Sequence, residues 1–223
     1  MLLMAANTLM MHAQEKLIAL SFDDGPNTTT TVHMLDVLKK HGVKASFFVI
    51  GKNITSESAK VMQRAHDEGH DIESHSLTHS AMSKLSADSI QKEIAATSAL
   101  VKQYVGEEPQ FFRPPYINVS ETMYETISLP FICGQGCTDW ESAVTESMRA
   151  ERIVADAKDG RIYLLHDFEG NEATVGAVDR IIPILKKQGY RFVTVRELFM
   201  EKKIQPQRNV IYTDIEHPQH LLQ

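Results

Sequence analysis

Short apolar stretches alternate with segments of helical periodicity along most of this chain. Apolar residues cluster at 17–22, 45–50 and 161–165, and each cluster ends at a glycine or a polar residue, as buried strands do. The segments between them carry apolar residues at spacings of three and four, which is typical of amphipathic helices. The alternation occurs about seven times and predicts an α/β fold with a parallel sheet, open or closed into a barrel.

The composition is that of one globular domain of ordinary size. Hydrophobic residues make up 43% and charged residues 23% of the 223 residues. The formal net charge of -6 argues against nonspecific nucleic-acid binding, which needs a basic face, but leaves a neutral polysaccharide open as a partner. We expect the domain to span 15–200. Residues 201–223 lack clear periodicity and contain two prolines, so we expect a surface extension there.

The first residues form an apolar, uncharged stretch at 1–14. This stretch is too short to span a bilayer, and we expect no stable membrane span elsewhere. It is similar to the apolar part of a secretory signal with a cleavage site near Ala13. We therefore expect a secreted or periplasmic protein; the alternative is a segment that packs on the domain. Cys133 and Cys137 are too few to indicate a disulfide scaffold.

The first predicted strand ends in two adjacent carboxylates, Asp23 and Asp24, followed by Gly25 and Pro26. Parallel α/β folds place their sites at the carboxyl ends of strands. Two neighbouring acids are costly together unless a positive charge lies near them, and a bound cation would supply that charge. One Asp can then bind the cation while the other transfers a proton. The alternative is an ordinary solvated turn.

His75 and His79 follow a short predicted strand and are four residues apart. At that spacing two imidazoles can share one face of a helical turn and bind one metal ion. Together with an Asp they would form a three-ligand site with open positions, which is typical of catalytic zinc. A chance pair is the alternative, because the chain contains ten histidines.

Two further stretches contain residues suited to catalysis. The stretch Arg113-Pro114-Pro115-Tyr116 contains two prolines, which predict a rigid loop. Such a loop can orient a backbone N–H toward a developing oxyanion. Arg113 can pair with a carboxylate and lower its pKa. His166 ends a predicted buried strand, and an imidazole at that position can act as a general acid or base. A plain proline turn and a structural histidine are the alternatives.

Five motifs occur in order: Ser-Phe-Asp-Asp-Gly, His-x-x-x-His, Arg-Pro-Pro-Tyr, Asp-Trp and Leu-x-His. With them the chain resembles the NodB homology domain of carbohydrate esterase family 4, the polysaccharide deacetylases, over about residues 16–200. The resemblance implies a distorted (β/α) barrel of about seven parallel strands. It also implies hydrolysis of an N-acetyl, sometimes O-acetyl, group on a sugar polymer. The implied cofactor is a divalent metal, with zinc first and cobalt or nickel as alternatives.

The resemblance also assigns roles to individual residues. It implies that Asp24, His75 and His79 bind the metal. It implies that Asp23 is the general base and that Arg113 orients it. The other residues implied at the site are Tyr116, whose backbone N–H stabilises the oxyanion; His166, which protonates the leaving group; and Trp140, Leu164, Pro114 and Pro115, which contact substrate.

The chain departs from the family pattern at two positions that bear on activity. Gly136 stands where the family's Asp-x-x-Asp-Trp has its first Asp. The resemblance implies that this Asp orients the catalytic histidine, so the partner of His166 is left open. Ile117 stands where the Arg-Pro-Pro-Tyr motif is usually followed by glycine, which is expected to reshape the cleft.

The leading hypothesis is a metal-dependent N-deacetylase acting on N-acetylglucosamine units of peptidoglycan or a chitin-like polymer. An O-acetyl esterase acting on a xylan-like polysaccharide is the second hypothesis. It gains weight from Gly136, because an alkoxide leaves more easily than an amine anion and needs less help from an acid. The third hypothesis is an inactive glycan-binding protein on the same fold, since fold alone does not determine function.

Overall fold

The computed structural model describes residues 15–221 of the chain. Its strands alternate with helices, as the sequence predicts. The strands are β1 (Lys16–Asp23), β2 (Ser46–Val49), β3 (Asp71–Ser74), β4 (Phe131–Ile132), β5 (Gln135–Gly136), β6 (Arg161–His166), β7 (Tyr190–Val193), β8 (Ile211–Tyr212) and β9 (Pro218–Gln219). The helices are α1 (Thr30–His41), α2 (Ser58–Asp67), α3 (Ala87–Val105), α4 (Glu121–Thr126), α5 (Glu146–Asp156), α6 (Glu172–Lys187) and α7 (Val195–Glu201).

The first strand lies at the centre of a six-stranded parallel sheet. β6 pairs with β1 along most of its length. On the other edge β7 pairs with the first half of β1, and β2 pairs with its last three residues. β3 continues the sheet beyond β2, and β5 beyond β6. Because β1 is covered on both faces, seven of its eight residues are buried, which explains its continuous apolar pattern.

The hydrogen-bonded pairing of the strands is interrupted between β3 and β4. Only isolated bridges connect these strands, from Ser74 to Phe112 and from Phe112 to Phe131. Two residues then separate β4 from β5, so the same stretch of chain passes from one side of the sheet to the other. Among residues 15–221 hydrogen bonds therefore do not close a complete barrel. The predicted α/β class with parallel strands is confirmed.

The C-terminal segment is more than the surface extension expected from the sequence. β8 pairs in parallel with β4, and Tyr212 accepts hydrogen bonds at its carbonyl from the backbone of Cys133 and Gly134 at 2.8 and 3.0 Å. Tyr212 and Ile215 are buried in the cluster that includes Phe199. A strand of two residues is too short to show a hydrophobic period, which is why the pattern did not reveal it. The domain boundary at residue 200 stays a prediction.

The carboxyl ends of the parallel strands meet at one edge of the sheet. Asp23, the last residue of β1, lies opposite His166, the last residue of β6. Ser74 ends β3 at the same edge, so His75 follows directly. The motifs that are far apart in the chain are thereby brought together. No helix within residues 15–221 is long and apolar enough to cross a membrane. Residues 1–14 lie outside the described part, and their signal-like interpretation stays a prediction.

Candidate active site

A cleft with a cavity of about 580 Å³ opens at this edge of the sheet. Most of the residues singled out from the sequence line it. These are Asp23, Asp24, His75, His79, Pro114, Tyr116, Trp140, Leu164 and His166. Two others do not line it: Arg113 is fully buried behind Asp23, and Pro115 is buried at the start of a short 3-10 turn. Contact between Pro115 and a substrate therefore stays a prediction.

Asp24, His75 and His79 form the one group of metal-ligating side chains found among residues 15–221. The Nε2 atoms of both imidazoles lie 3.6 Å from Oδ1 of Asp24. One ligand atom from each residue falls within 4.8 Å of the others. Asp24 Oδ1 is buried and has no hydrogen-bond partner in the described structure. Two imidazole nitrogens and an unpaired buried carboxylate oxygen fit a divalent ion of the zinc type.

Hydrogen bonding orients the His75 ring toward this point. His75 Nδ1 donates to the backbone carbonyl of Arg113 at 2.8 Å, so the lone pair of the neutral ring is on Nε2. Burial lowers the pKa of His75 to about 3, so the ring is neutral at any working pH. The His79 ring lies with its centroid 4.8 Å from that of His75. The Nε2 atoms of both rings therefore face the same space beside Asp24.

The two histidines do not share a helical turn, contrary to the expectation from their spacing. The chain between them forms bends, and His79 has a left-handed backbone with φ 57°. Glu93 of α3 holds this loop, because its carboxylate accepts hydrogen bonds from the backbone of Leu77 and Thr78 at 2.9 and 2.8 Å. The convergence comes from a pinned loop, and Glu93 is a positioning residue that the sequence analysis missed.

Asp23 forms a buried ion pair behind the metal-ligand group. Arg113 Nη1 donates to Asp23 Oδ1 at 2.5 Å, and Nη2 donates to Ser21 Oγ at 2.7 Å. The guanidinium also lies 4.1 Å from the ring centroid of Phe48. Burial raises the pKa of the Asp23 carboxyl above its usual range, and the charge of Arg113 limits that rise. Asp23 thus remains available as a proton acceptor beside the cleft.

Asp139 is the partner of His166. Its Oδ1 accepts from His166 Nδ1 at 2.9 Å, and its Oδ2 accepts from the His166 backbone at 2.7 Å and from Thr174 Oγ1 at 2.9 Å. Burial disfavours the charged imidazole, but the hydrogen bond and charge of Asp139 outweigh it and raise the pKa of His166 to about 8. The question that Gly136 raised is therefore answered by the acid directly before Trp140.

An apolar wall completes the cleft next to His166. The Trp140 ring packs edge-on against His166 with centroids 5.4 Å apart, while half of its surface, 51%, remains exposed. Leu164 lies two residues before His166 on β6 and faces the same cleft. The sequence analysis did not predict that Cys133 and Gly134 would also line the cleft. No motif marks them, since they reach the site only through the path of β4 and β5.

Left-handed backbone conformations of residues other than glycine concentrate at the cleft. Asp24, His79, Tyr116 and Ile117 have φ between 54 and 76°. Such conformations are disfavoured for residues with a Cβ, most of all for a β-branched residue such as Ile117. Conformations of this kind persist where surrounding contacts over-determine the backbone. The backbone at these four positions is thus stabilised by the contacts around it.

Comparisons with known proteins agree with this geometry. The polysaccharide deacetylase family model matches residues 11–129. A bifunctional xylanase/deacetylase of Pseudobutyrivibrio xylanivorans is 50% identical over 198 residues, which cover 89% of this chain and 32% of that protein. The peptidoglycan-N-acetylglucosamine deacetylase PgdA of Listeria monocytogenes is 38% identical, over 84% of this chain and 40% of its own length. The chain thus spans 32% to 40% of the length of these relatives.

A shorter relative is matched almost throughout. A peptidoglycan-N-acetylglucosamine deacetylase of Bacillus cereus is 38% identical over 84% of this chain and 90% of that protein. Among solved structures, the Xyl-CE4 domain of a multidomain xylanase from the hindgut metagenome of Trinervitermes trinervoides has a TM-score of 0.88 and 48% identity, covering 90% of this chain and 98% of that one.

A second solved structure was determined with a metal ion. The family 4 acetyl xylan esterase from Clostridium thermocellum, in complex with a cobalt ion, has a TM-score of 0.87 and 40% identity. The match covers 91% of this chain and all of that one, 100%. The family match, the identities and the shared fold lead to one conclusion: this chain belongs to the polysaccharide deacetylases of carbohydrate esterase family 4.

Proposed function

We propose that this protein is a metal-dependent hydrolase that removes acetyl groups from a polysaccharide. The first candidate substrate is N-acetylglucosamine in peptidoglycan or a chitin-like polymer. The observation that carries the proposal is the arrangement around one cleft. A three-residue metal-ligand group and the buried Asp23–Arg113 pair lie beside it, and the His166–Asp139 pair lines the same cleft.

The donor set favours zinc, with cobalt or nickel as alternatives. Asp24, His75 and His79 would hold the ion, which when bound lowers the pKa of a coordinated water and polarises an acyl carbonyl. Asp23 accepts the proton of the attacking water, because its carboxylate faces the cleft beside those ligands. Arg113 holds the Asp23 carboxylate in one orientation through a hydrogen bond of 2.5 Å.

The other residues act on the acyl oxygen and on the leaving group. The backbone N–H of Tyr116, in the rigid loop after Pro114, is proposed to donate to the oxyanion. His166 donates a proton to the leaving nitrogen or oxygen. With a pKa of about 8 the ring is mainly protonated at neutral pH, as a general acid must be. An intact acid supports hydrolysis of an amide, whose leaving group needs protonation.

The names of several relatives support the second candidate, an O-acetyl esterase acting on xylan. The chain is 50% identical to a xylanase/deacetylase and 48% and 40% identical to two xylan-related structures of family 4. Gly136 does not favour this candidate, because Asp139 supplies the His166 partner. The two candidates share the same chemistry and differ in the leaving group.

Acetate release tests the function and separates its alternatives. Zinc-loaded protein is incubated in parallel with chitooligosaccharide, peptidoglycan and acetylated xylan. Asp23→Asn removes the proton acceptor and should abolish release, while Asp67→Asn changes an exposed carboxyl and should leave release unchanged. Release from the first two polymers identifies an N-deacetylase, and release from xylan alone identifies an esterase. Glycan binding without any release, with metal verified as bound, would establish the inactive binding protein instead.

We also propose that the protein is exported, to the periplasm or outside the cell. The support is the apolar, uncharged stretch at 1–14, which is similar to part of a secretory signal. Cell fractionation of a producing bacterium, with N-terminal sequencing of the recovered protein, tests this. Protein found only in the cytoplasm with residues 1–14 intact would contradict it.

A further inference from the structure

Two glycines line the cleft, one just before β5 and one within it. Gly134 and Gly136 are two residues apart and both line the cleft. Gly136 is paired with Leu164 in the parallel register of β5 and β6. Paired residues of neighbouring strands point to the same face of the sheet. Because Leu164 lines the cleft, a side chain at position 136 would stand beside it in the cleft.

The two glycines have different reasons to lack a side chain. Gly134 has φ 81°, and a Cβ there would lie 3.1 Å from Arg113 Nη2 and from Leu164 Cβ, so glycine is required. Gly136 is not in the left-handed region, and a Cβ there would lie 3.6 Å from the nearest Trp140 ring atom. That distance is an ordinary contact. The backbone therefore accepts a larger residue at position 136. Because glycine has no side chain there, the cleft wall has a gap.

We call this gap the 136 notch; Gly136, Leu164 and Trp140 border it. A Cβ at position 136 would lie 3.6 Å from the edge of the Trp140 six-membered ring and 4.0 Å from the Leu164 backbone carbonyl oxygen. Trp140 also contacts His166, so the notch lies next to the group proposed to protonate the leaving atom. The ring carbons of Trp140 offer an apolar contact to a hydrocarbon chain and no hydrogen bond to a sugar hydroxyl.

We infer that the 136 notch accommodates acyl chains longer than acetyl, so that the protein also removes propionyl and butyryl groups from sugars. This inference rests on the proposed deacetylase function and extends its substrate class. The reaction is the same hydrolysis: the bond from the acyl carbon to the sugar oxygen or nitrogen breaks. Water supplies the hydroxyl that completes the carboxylic acid and the proton that the leaving atom receives.

The test compares kcat/KM for acetyl, propionyl and butyryl forms of one xylooligosaccharide and one chitooligosaccharide. The wild-type protein should hydrolyse the propionyl form within about fourfold of the acetyl form, because one buried methylene contributes up to about fourfold in binding. Gly136→Ala should lower the butyryl-to-acetyl ratio, and Gly136→Val should lower the propionyl-to-acetyl ratio by about tenfold. Alanine fits without displacement, so this variant is expected to fold.

Gln135→Val is the matched control, because position 135 lies on the opposite face of the same strand and lines a different pocket. This variant should keep the wild-type ratios. A wild-type preference for acetyl above about thirtyfold, or ratios unchanged in Gly136→Val, would overturn the inference. Binding of acetate, propionate and butyrate is measured in parallel by ligand-observed NMR. If no acyl group is hydrolysed, the proposed function fails, while tighter butyrate binding that Gly136→Val abolishes still supports the notch.

Discussion

Replacing Asp139 by Asn should shift the pH dependence of activity by a calculable amount. Asp139 Oδ1 lies 2.9 Å from His166 Nδ1, and this contact raises the His166 pKa from 6.5 to about 8. Without the carboxylate charge of Asp139, burial lowers the pKa of the ring against only the charges of Asp23 and Asp24, so the pKa should fall to about 6.5. At pH 7.5 the protonated fraction then falls from about three quarters to about a tenth, which is about an eightfold loss of the acid form.

The assay is the pH profile of kcat/KM for Asp139→Asn on an N-acetylated and an O-acetylated oligosaccharide. The alkaline limb of the pH–activity profile should shift to lower pH by about 1.5 units, the difference between about 8 and 6.5. The amide should lose more activity than the ester, because an amine needs protonation more than an alkoxide does. Thr174→Val removes another hydrogen bond to Asp139 but keeps the Asp139 charge, so the alkaline limb of this variant's pH profile should not shift. An unmoved limb in Asp139→Asn would refute the role of the pair.

The same pair predicts how stability depends on pH. His166 has a folded-state pKa of about 8, above its unfolded value of 6.5, so the folded state binds the proton more tightly. The contribution of the His166–Asp139 pair to the free energy of unfolding is complete below pH 6.5 and is lost as the pH rises through 8. It amounts to about 2 kcal/mol in the free energy of unfolding. Urea denaturation of metal-free protein between pH 6 and 9 measures this loss, and Asp139→Asn should flatten it.

Three further substitutions test other parts of the structure. Asp24→Ala should reduce bound zinc after dialysis from about one ion per chain to almost none by mass spectrometry, because one of three ligands is lost; undiminished zinc would place the site elsewhere. Arg113→Met leaves Asp23 buried without its partner and should lower the free energy of unfolding by about 3–5 kcal/mol in urea titrations at pH 7; a loss below about 1 kcal/mol would contradict the buried pair. Tyr212→Ala should lower the free energy of unfolding by about 3–5 kcal/mol in the same assay, because it removes a buried aromatic ring. A negligible loss would indicate that residues 201–223 are only a surface extension.

Sequence alone predicts the residues that follow regular strands. Asp24 and His75 come directly after β1 and β3, and the rule that parallel strands end at one edge places them together. His79 lies beside Asp24 and His75, but not through the helical turn that the i, i+4 spacing suggests. A loop pinned by Glu93 brings it there, and side-chain to backbone hydrogen bonds over 15 residues have no local sequence signal.

The partner of His166 could not be derived from sequence spacing. Gly136 and Asp139 are three residues apart, and which position faces the imidazole depends on how the chain leaves β5. Thr138 has a left-handed backbone with φ 58°, a turn that the residue type does not indicate. The burial of Tyr212 escaped prediction for a related reason, because its strand is two residues long and pairs with β4 some 80 residues earlier.

The central position of β1 has a consequence for how this chain folds. Its eight residues lie near the start of the described chain, but their partners in β6 and β7 lie at 161–166 and 190–193. The hydrogen bonds of β1 therefore close loops of more than 140 residues, as Ile18 to Arg161 does. Such high contact order implies slow folding. During synthesis, Asp23 cannot meet His166 until the residues through β6 have emerged, so the metal-ligand group gains its neighbouring acid only late.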